Sequence, residues 1–480
     1  MTNINSMVKF AISTSQFQSQ VSDLLPCNKS LKSQLIWGLL KAYKLLDHFD
    51  YIITDPSSSK EEMLQFHDKK YVEILLDESL NQLPNEVAEE KFEQWKHLSE
   101  LGKGDDPDAF LSPNDLLKYY NKYTNQCDIV RKRTVIDTDF EDEEESHSSN
   151  EDQRSILKEF NLEGDCPMFP FFPLYLKVIT GATLKLLDIP GSDLRPLDID
   201  SLSDRFIGMN WDGGRHHAMK RKASGFCYIN DIVILLQKLR KKGFKKITYL
   251  DFDLHHGDGV ERAMLYSKNV QTISLHLYEV GFFPCTGSLK ESRGTNTINL
   301  PLMHGFNDKN LNELTAQVVL PCIQKFEPEF IVIQCGSDGL IGDSFHEWQL
   351  SIRGLTHNII KIIKQFPQCH VILLGGGGYN PTLSSRFYSY LTWNVLNEFG
   401  SEHLLKNPFE DVHFQGKDTT YDILIPDHPY NEFYGDEEHY KFWIYEQDGS
   451  SLYKPLKNDN KPSLVTKFRE HYQVDWLNAS

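Results

Sequence analysis

Short runs of aliphatic and β-branched residues recur at positions 9–13, 51–54, 206–210, 247–253, 272–276, 330–334 and 371–374. Runs of this length bounded by turn residues read as buried strands. Between many of them, apolar residues repeat at helical spacing, over 230–242, 309–325, 350–366 and 384–397. Strands alternating with helices predict an α/β fold in which one largely parallel sheet is covered by helices on both faces. Ligands in such folds sit beyond the carboxyl ends of the strands. The unusual residues of this chain cluster there: after 247–253, after 272–276, at Asp338, and at the Gly375-Gly376-Gly377-Gly378-Tyr379 turn. Candidate residues spread from Asp165 to Tyr379 then belong to one domain. Beyond residue 400 the alternation fades while aromatic residues persist (Phe433, Tyr434, Tyr440, Phe442, Trp443, Tyr445). A packed C-terminal extension over 401–480, frayed at its end, is expected.

The sharpest local signal is Asp251-Phe252-Asp253-Leu254-His255-His256-Gly257-Asp258-Gly259, which follows the apolar run Ile247-Thr248-Tyr249-Leu250. Alternate strand residues share a side, so Asp251, Asp253 and His255 point to one face just where the strand should end. A carboxylate and an imidazole two residues apart at a strand end can grip a divalent metal.

Charge and cysteine usage narrow the classes. The formal net charge is -18, and nine of the negatives are Asp137, Asp139, Glu141, Asp142, Glu143, Glu144, Glu145, Glu151 and Asp152. No Lys or Arg lies between Thr134 and Gln153, so 134–153 is expected to be a disordered surface insertion. Its plain reading is a solvated loop, although Ser148 and Ser149 each have an acidic residue three positions on. The acidic balance argues against direct nucleic-acid binding, which rests on neutralising phosphates, and suits a basic protein substrate. The eight cysteines (27, 127, 166, 227, 285, 322, 335 and 369) form no C-x-x-C pair. Reduced thiols in an intracellular compartment are therefore expected. The first residues lack a signal-peptide profile. The longest apolar stretch, 169–187, is too short and too interrupted by Pro173, Lys177 and Lys185 to span a membrane.

Zinc hydrolases commonly present three protein ligands and keep a fourth position open. Asp253 and His255 supply two, and Asp338, directly after 330–334, is the best third. Two carboxylates with one imidazole suit zinc and tolerate ferrous iron. His216-His217 stand in Asn210-Trp211-Asp212-Gly213-Gly214-Arg215-His216-His217, and Asp251 and Asp258 are spare carboxylates that can each orient one imidazole. An oriented His beside the metal serves as general base, and a second as proton holder. Tyr379, after four glycines, can donate to a developing oxyanion. Phe226 and Phe283, in turns bounded by glycine, can wall a thin aliphatic chain. Any one of these residues alone is more readily structural, since buried polar groups need partners anyway. Their joint occurrence at strand ends is what points to chemistry.

Taken together, 208–231, 249–261, 274–288, 334–343 and 373–379 resemble the zinc-dependent class I histone deacetylases, and the resemblance runs from about residue 8 to 400. Phe66-His67 and Gly164-Asp165-Cys166-Pro167 fit it too. Within the family the chain looks most like divergent fungal members related to the cohesin-deacetylating enzymes. The resemblance implies the arginase/deacetylase fold, about eight parallel strands in one domain, and hydrolysis of acetyl-lysine on a protein substrate. It makes Asp253, His255 and Asp338 the zinc ligands, His216 and His217 the paired histidines with His217 as base, and Asp251 and Asp258 their carboxylate partners. Tyr379 matches the carbonyl-polarising tyrosine, Phe226 and Phe283 the tunnel walls, Gly225 the tunnel floor, and Asp165 the rim carboxylate. Asp251, main-chain oxygens of Asp253 and His255, Ser274 and Leu275 match a structural potassium site. The family also implies residence in the nucleus, with the cytoplasm as second compartment, since Arg131-Lys132-Arg133 is too short a basic run to direct it.

Departures from the family pattern are specific. Cys285 stands where Gly is usual. The arginine usual near residue 30 in the acetate-exit channel has only Lys32 as a candidate. Thr382 replaces an arginine that contacts inositol phosphate in corepressor-bound members, although Arg353 fits another such contact. Activity without a corepressor or inositol phosphate is therefore expected. An arginase-type binuclear site is rejected, because Gly257 occupies the last position of the D-x-H-x-D it needs, and Gly339 and Leu340 follow Asp338. Acetylpolyamine hydrolysis and a non-catalytic acetyl-lysine reader remain as competing readings.

Overall fold

The structure of the chain, a computed structural model, describes residues 8–28, 31–77, 155–169, 171–189, 194, 205–292, 296–400, 406–410, 423–446 and 454–474. The acidic insertion at 134–153 lies outside them. Eight strands form one sheet: β1 (Val8–Ser13), β2 (Tyr51–Ile53), β3 (Arg205–Asn210), β4 (Ile247–Asp251), β5 (Val270–Leu277), β6 (Thr297–Leu302), β7 (Phe330–Gln334) and β8 (His370–Leu374). Their order is β2-β1-β3-β8-β7-β4-β5-β6, and every neighbouring pair is parallel.

Alternation along the strands explains the layers. In β7, Ile331 and Ile333 face one core while Phe330 and Val332 face the other, and β8 divides Val371 and Leu373 from Ile372 and Leu374 in the same way. Successive strand residues point to opposite faces, so a strand covered on both sides is apolar throughout. One face is covered by α2 (Lys32–Ala42), α8 (Asp308–Leu314), α9 (Leu320–Phe326), α10 (Ile352–Gln365), α11 (Pro381–Phe399) and α12 (Leu464–Tyr472). The other carries α1 (Gln16–Ser22), α3 (Lys60–Met63), α4 (Lys69–Leu75), α5 (Phe172–Leu184), α6 (Asp231–Lys241) and α7 (Asp258–Met264). Helix starts are set by side chains that take up orphan amides: Asn230 caps Val233 N, Ser351 caps Gly354 N, and Asn380 caps Leu383 N.

Three sequence expectations need correction. The run at 297–302 escaped notice as a strand because Asn299 and Pro301 interrupt its apolar character. Proline is tolerated there because β6 is an edge strand bonded only to β5. The helix expected over 309–325 is divided into α8, a π-type turn at Thr315–Val319 and α9. Pro321 lacks an amide proton and crowds the preceding turn, which the wider turn upstream accommodates. The strand expected over 247–253 ends at Asp251.

Within the stretch at 169–187, Phe172–Leu184 form α5, buried along nearly its whole length against α1 and α6. Among the described residues no helix is long and apolar enough to cross a membrane. Phe409, Tyr434, Phe442, Trp443 and Tyr445 are buried in the same core as α2 and α11.

Candidate active site

The strands β3, β8, β7 and β4 are consecutive in the sheet. Their last residues lie side by side, Asn210 against Leu374, Leu374 against Gln334, and Gln334 against Asp251. Parallel strands place all their carboxyl ends on one edge, so the loops that follow meet there. These loops bring His216 and His217, Tyr379, Asp338, and Asp253, His255 and Asp258 together.

Asp253 and His255 do not converge by sharing a strand face. After Asp251 the chain turns because its Oδ1 accepts from Asp253 N at 3.1 Å and Asp338 Oδ1 accepts from Leu254 N at 2.9 Å. Side chains here capture amides that a ladder would otherwise use. Asp253, His255 and Asp338 are buried, and one ligand atom from each lies within 4.8 Å of the others. His255 Nδ1 is 3.2 Å from Asp253 Oδ1 and 2.9 Å from Asp338 Oδ2. Burial and the neighbouring Asp253 charge push the Asp338 carboxyl up to about 7. Two carboxylates held this close in a low-dielectric interior call for a cation between them, so the donor set fits a divalent metal.

The paired histidines are each fixed through Nδ1. His216 donates to Asp251 Oδ2 and His217 to Asp258 Oδ1, both at 2.8 Å. Their charge preferences differ. Burial opposes charge on both, but Asp251 and Asp253 outweigh it at His216 and lift it to about 9. Burial and the adjacent His216 bring His217 down to about 4 despite Asp258. Asp251 also accepts from the Tyr249 hydroxyl at 2.6 Å and lies beside Ser274 in the β4–β5 register. Leu275 follows Ser274 in β5 and is buried.

A small cavity opens next to these groups, and His217, Gly225, Phe226, Asp253 and Tyr379 line it. Gly225 has φ +50°, and a Cβ there would stand 2.5 Å from His217 Cδ2, so only glycine permits this approach. The Phe283 ring packs edge-on against His217 at 4.9 Å and is 39% exposed, outside the residues that line the cavity. Phe226 faces Tyr379, the ring centres 6.0 Å apart. Tyr379 is held by its backbone, its amide donating to Asp343 Oδ2 at 2.7 Å, and burial keeps its phenol well above the usual range and therefore protonated. Asp165 is exposed on a separate loop, fastened beside the Phe226 turn where Tyr228 donates to Pro167 O at 2.6 Å. Cys285 is exposed with φ +63°, a left-handed conformation that favours glycine. The described cysteines are all free thiols.

Gln334, which shapes the site, was not singled out by sequence reasoning. Gln334 donates to Asp253 Oδ2 at 2.7 Å, and the Gly377 amide donates to the same oxygen at 2.7 Å. A glutamine ending an apolar strand was the available signal, because a buried amide needs partners. Lys32 is buried below the glycine turn and donates to Gly376 O at 3.1 Å and Gly377 O at 3.2 Å. Burial, with Arg215 nearby, lowers its pKa.

The histone deacetylase domain matches residues 26–395. The chain is 46% identical to histone deacetylase HOS1 of Saccharomyces cerevisiae, over 98% of this chain and 100% of that protein. It is 36% identical to histone deacetylase 8 of Xenopus laevis, over 54% of this chain and 77% of that protein. The same identity holds with histone deacetylase 8 of Xenopus tropicalis, over 54% of this chain and 68% of that protein. With the parallel eight-stranded sheet and a buried Asp–His–Asp group at its carboxyl edge, these matches establish that the chain belongs to the histone deacetylase family and is a lysine-deacetylating hydrolase.

Proposed function

We propose that this protein hydrolyses N6-acetyl-lysine in protein substrates, histone tails or a cohesin-type protein, and releases acetate. The observation that carries this reading is that three things meet at a cavity lined by His217, Phe226, Asp253 and Tyr379: the Asp253–His255–Asp338 group, the His217–Asp258 pair and Tyr379 itself. Zn²⁺, or Fe²⁺ in its place, held by Asp253, His255 and Asp338 would polarise the scissile carbonyl and make water acidic enough to attack it.

The protein's own groups do the rest. Phe226 and Phe283 flank the aliphatic part of the lysine, and Asp165 holds the substrate backbone at the rim. With Nδ1 of His217 engaged by Asp258, Nε2 is the nitrogen left to accept the proton of the attacking water. His216, held by Asp251, is the proton-holding partner, and a proton passes to the leaving amine. The Tyr379 hydroxyl donates to the oxyanion that develops on the former carbonyl. Gly225 keeps the floor open to the acetyl group. Asp251, main-chain oxygens of Asp253 and His255, Ser274 and Leu275 hold K⁺ and stiffen the end of β4. Residues 8–400 form the catalytic unit, working in the nucleus or, secondarily, the cytoplasm.

Neither a corepressor nor inositol phosphate is required on this reading. Its support is that Arg353 and Thr382 already have partners within the chain, Glu446 and Tyr445. The test is zinc-loaded recombinant protein, without a partner, against an acetylated histone tail, an acetylated cohesin-derived peptide and acetylspermidine. Peptide hydrolysis is expected. Cleavage of acetylspermidine alone would make the enzyme a polyamine deacetylase, and inertness despite stoichiometric zinc would overturn partner-free catalysis.

A further inference from the structure

The loop bearing Tyr379 is held from the far end of the chain. Asn380, the next residue, donates through Nδ2 to Gly342 O at 2.8 Å and to the Tyr445 hydroxyl at 3.0 Å. That hydroxyl also bonds Thr382 Oγ1 at 2.8 Å. Asp343 accepts from both Tyr379 N and Asn380 N, at 2.7 and 3.1 Å. The Tyr445 ring lies directly against Gly342, where a Cβ would stand 2.4 Å from Cδ1.

The segment carrying Tyr445 is itself anchored. Glu446 Oε1 accepts from Ile352 N at 2.5 Å and Arg353 N at 3.4 Å, at the start of α10. The Arg353 guanidinium sits 4.0 Å over the Trp443 ring, and Trp443 Nε1 donates to Phe409 O at 3.1 Å. Arg386, buried in α11, donates to Thr382 O at 2.7 Å, to Lys441 O at 3.3 Å and to His439 O. Such buried bonds to a charged donor fix geometry firmly.

We propose that Tyr445 is a positioning residue for the reaction: its hydroxyl braces Asn380 and Thr382 and so holds the Tyr379 phenol where the oxyanion forms. The role rests on the reading of Tyr379 as oxyanion donor. A donor must already be aimed before charge develops, because realigning it during the step forfeits its effect. A displacement of about 1 Å is enough to cost substantial rate.

Tyr445→Phe tests it, since the ring stays against Gly342 and only the hydroxyl is lost. Two readouts are taken on the full-length, zinc-loaded protein: steady-state kinetics on an acetyl-lysine peptide, and hydrogen exchange at the Tyr379 and Asn380 amides. For one lost buried hydrogen bond, kcat should fall about tenfold and both amides should exchange about tenfold faster. KM should stay within about twofold, since the brace acts on the reacting carbonyl rather than on lysine binding. A merely structural role would instead lower the melting temperature and the active fraction and leave the turnover of each active molecule unchanged. Wild-type exchange at these two amides overturns the proposal whatever the kinetics. Faster exchange in the variant of a protein whose wild type shows no hydrolysis would sink the deacetylase reading and leave the brace standing. Should Tyr445→Phe fail to fold, Thr382→Val removes the other partner of the same hydroxyl and is read identically.

Discussion

The carboxylate of Asp258 accepts from Nδ1 of His217 at 2.8 Å, across 41 residues of sequence. Asp258 opens α7, so the residue that orients the imidazole is carried by a rigid element rather than by the histidine's own loop. Replacing it with asparagine removes the charge and the strict preference for a proton on Nδ1. Asp258→Asn should bind metal as wild type does, hold KM nearly constant and lose roughly 10²-fold in kcat, the scale of a general-base contribution. Steady-state kinetics check this, and a kcat within twofold of wild type would remove Asp258 from proton transfer.

Asp338→Asn should abolish metal binding and hydrolysis together, because a neutral amide replaces an anionic ligand poorly. Metal content after dialysis against a weak chelator, followed by activity, tests both. A variant that keeps one zinc per chain would exclude Asp338 as a ligand.

Tyr379→Phe should retain zinc and lose on the order of 10²–10³ in kcat, as for a lost oxyanion donor. Normal turnover by this variant would show that the oxyanion is stabilised elsewhere.

His67 and His428 should each subtract stability in mild acid, while the buried carboxyls of Asp23 and Glu446, raised to about 7, act in the opposite sense. Burial holds His67 down at about 3, and burial with Arg386 nearby holds His428 at about 4, against an ordinary value of 6.5. Both folded values are depressed. Their contribution is therefore complete above pH 6.5 and is lost progressively as pH falls toward 4 and then 3. At ~1.4 kcal/mol per pH unit, each costs about 2 kcal/mol between pH 6.5 and 5. Urea midpoints at pH 7 and 5, compared between wild type and a variant, isolate one histidine's share. His67 Nε2 accepts from Asn230 N at 2.9 Å, a bond that glutamine can also accept. Between pH 7 and 5, His67→Gln should therefore lose about 2 kcal/mol less stability than wild type, and an equal change in both would clear His67 of the effect.

What the sequence disclosed follows from where interactions are local. The sheet was legible because strands buried on both faces are continuously apolar, as β7 is. β6 was not, since an edge strand is free to carry Asn299 and Pro301. The Asp253–His255–Asp338 group was legible as residue types, yet its geometry was not: Asp338 diverts the chain by capturing Leu254 N from 84 residues away. Gln334, Lys32 and Tyr445 act through partners that no local pattern announces. Lys32 reaches a carbonyl 344 residues distant.

The order of strands also governs how the protein can be made. β3 and β4 are successive in the chain, but β8 and β7 lie between them in the sheet. A nascent chain that has emerged as far as β6 therefore holds two separate half-sheets, each with an open inner edge. These edges close only once residues 330–374 insert between them. Pairings of such long sequence separation form slowly, and unpaired strand edges invite association with other chains. The same insertion joins Asp338 and Tyr379 to Asp253 and His217, so closure of the sheet and completion of the site require the same segment of chain.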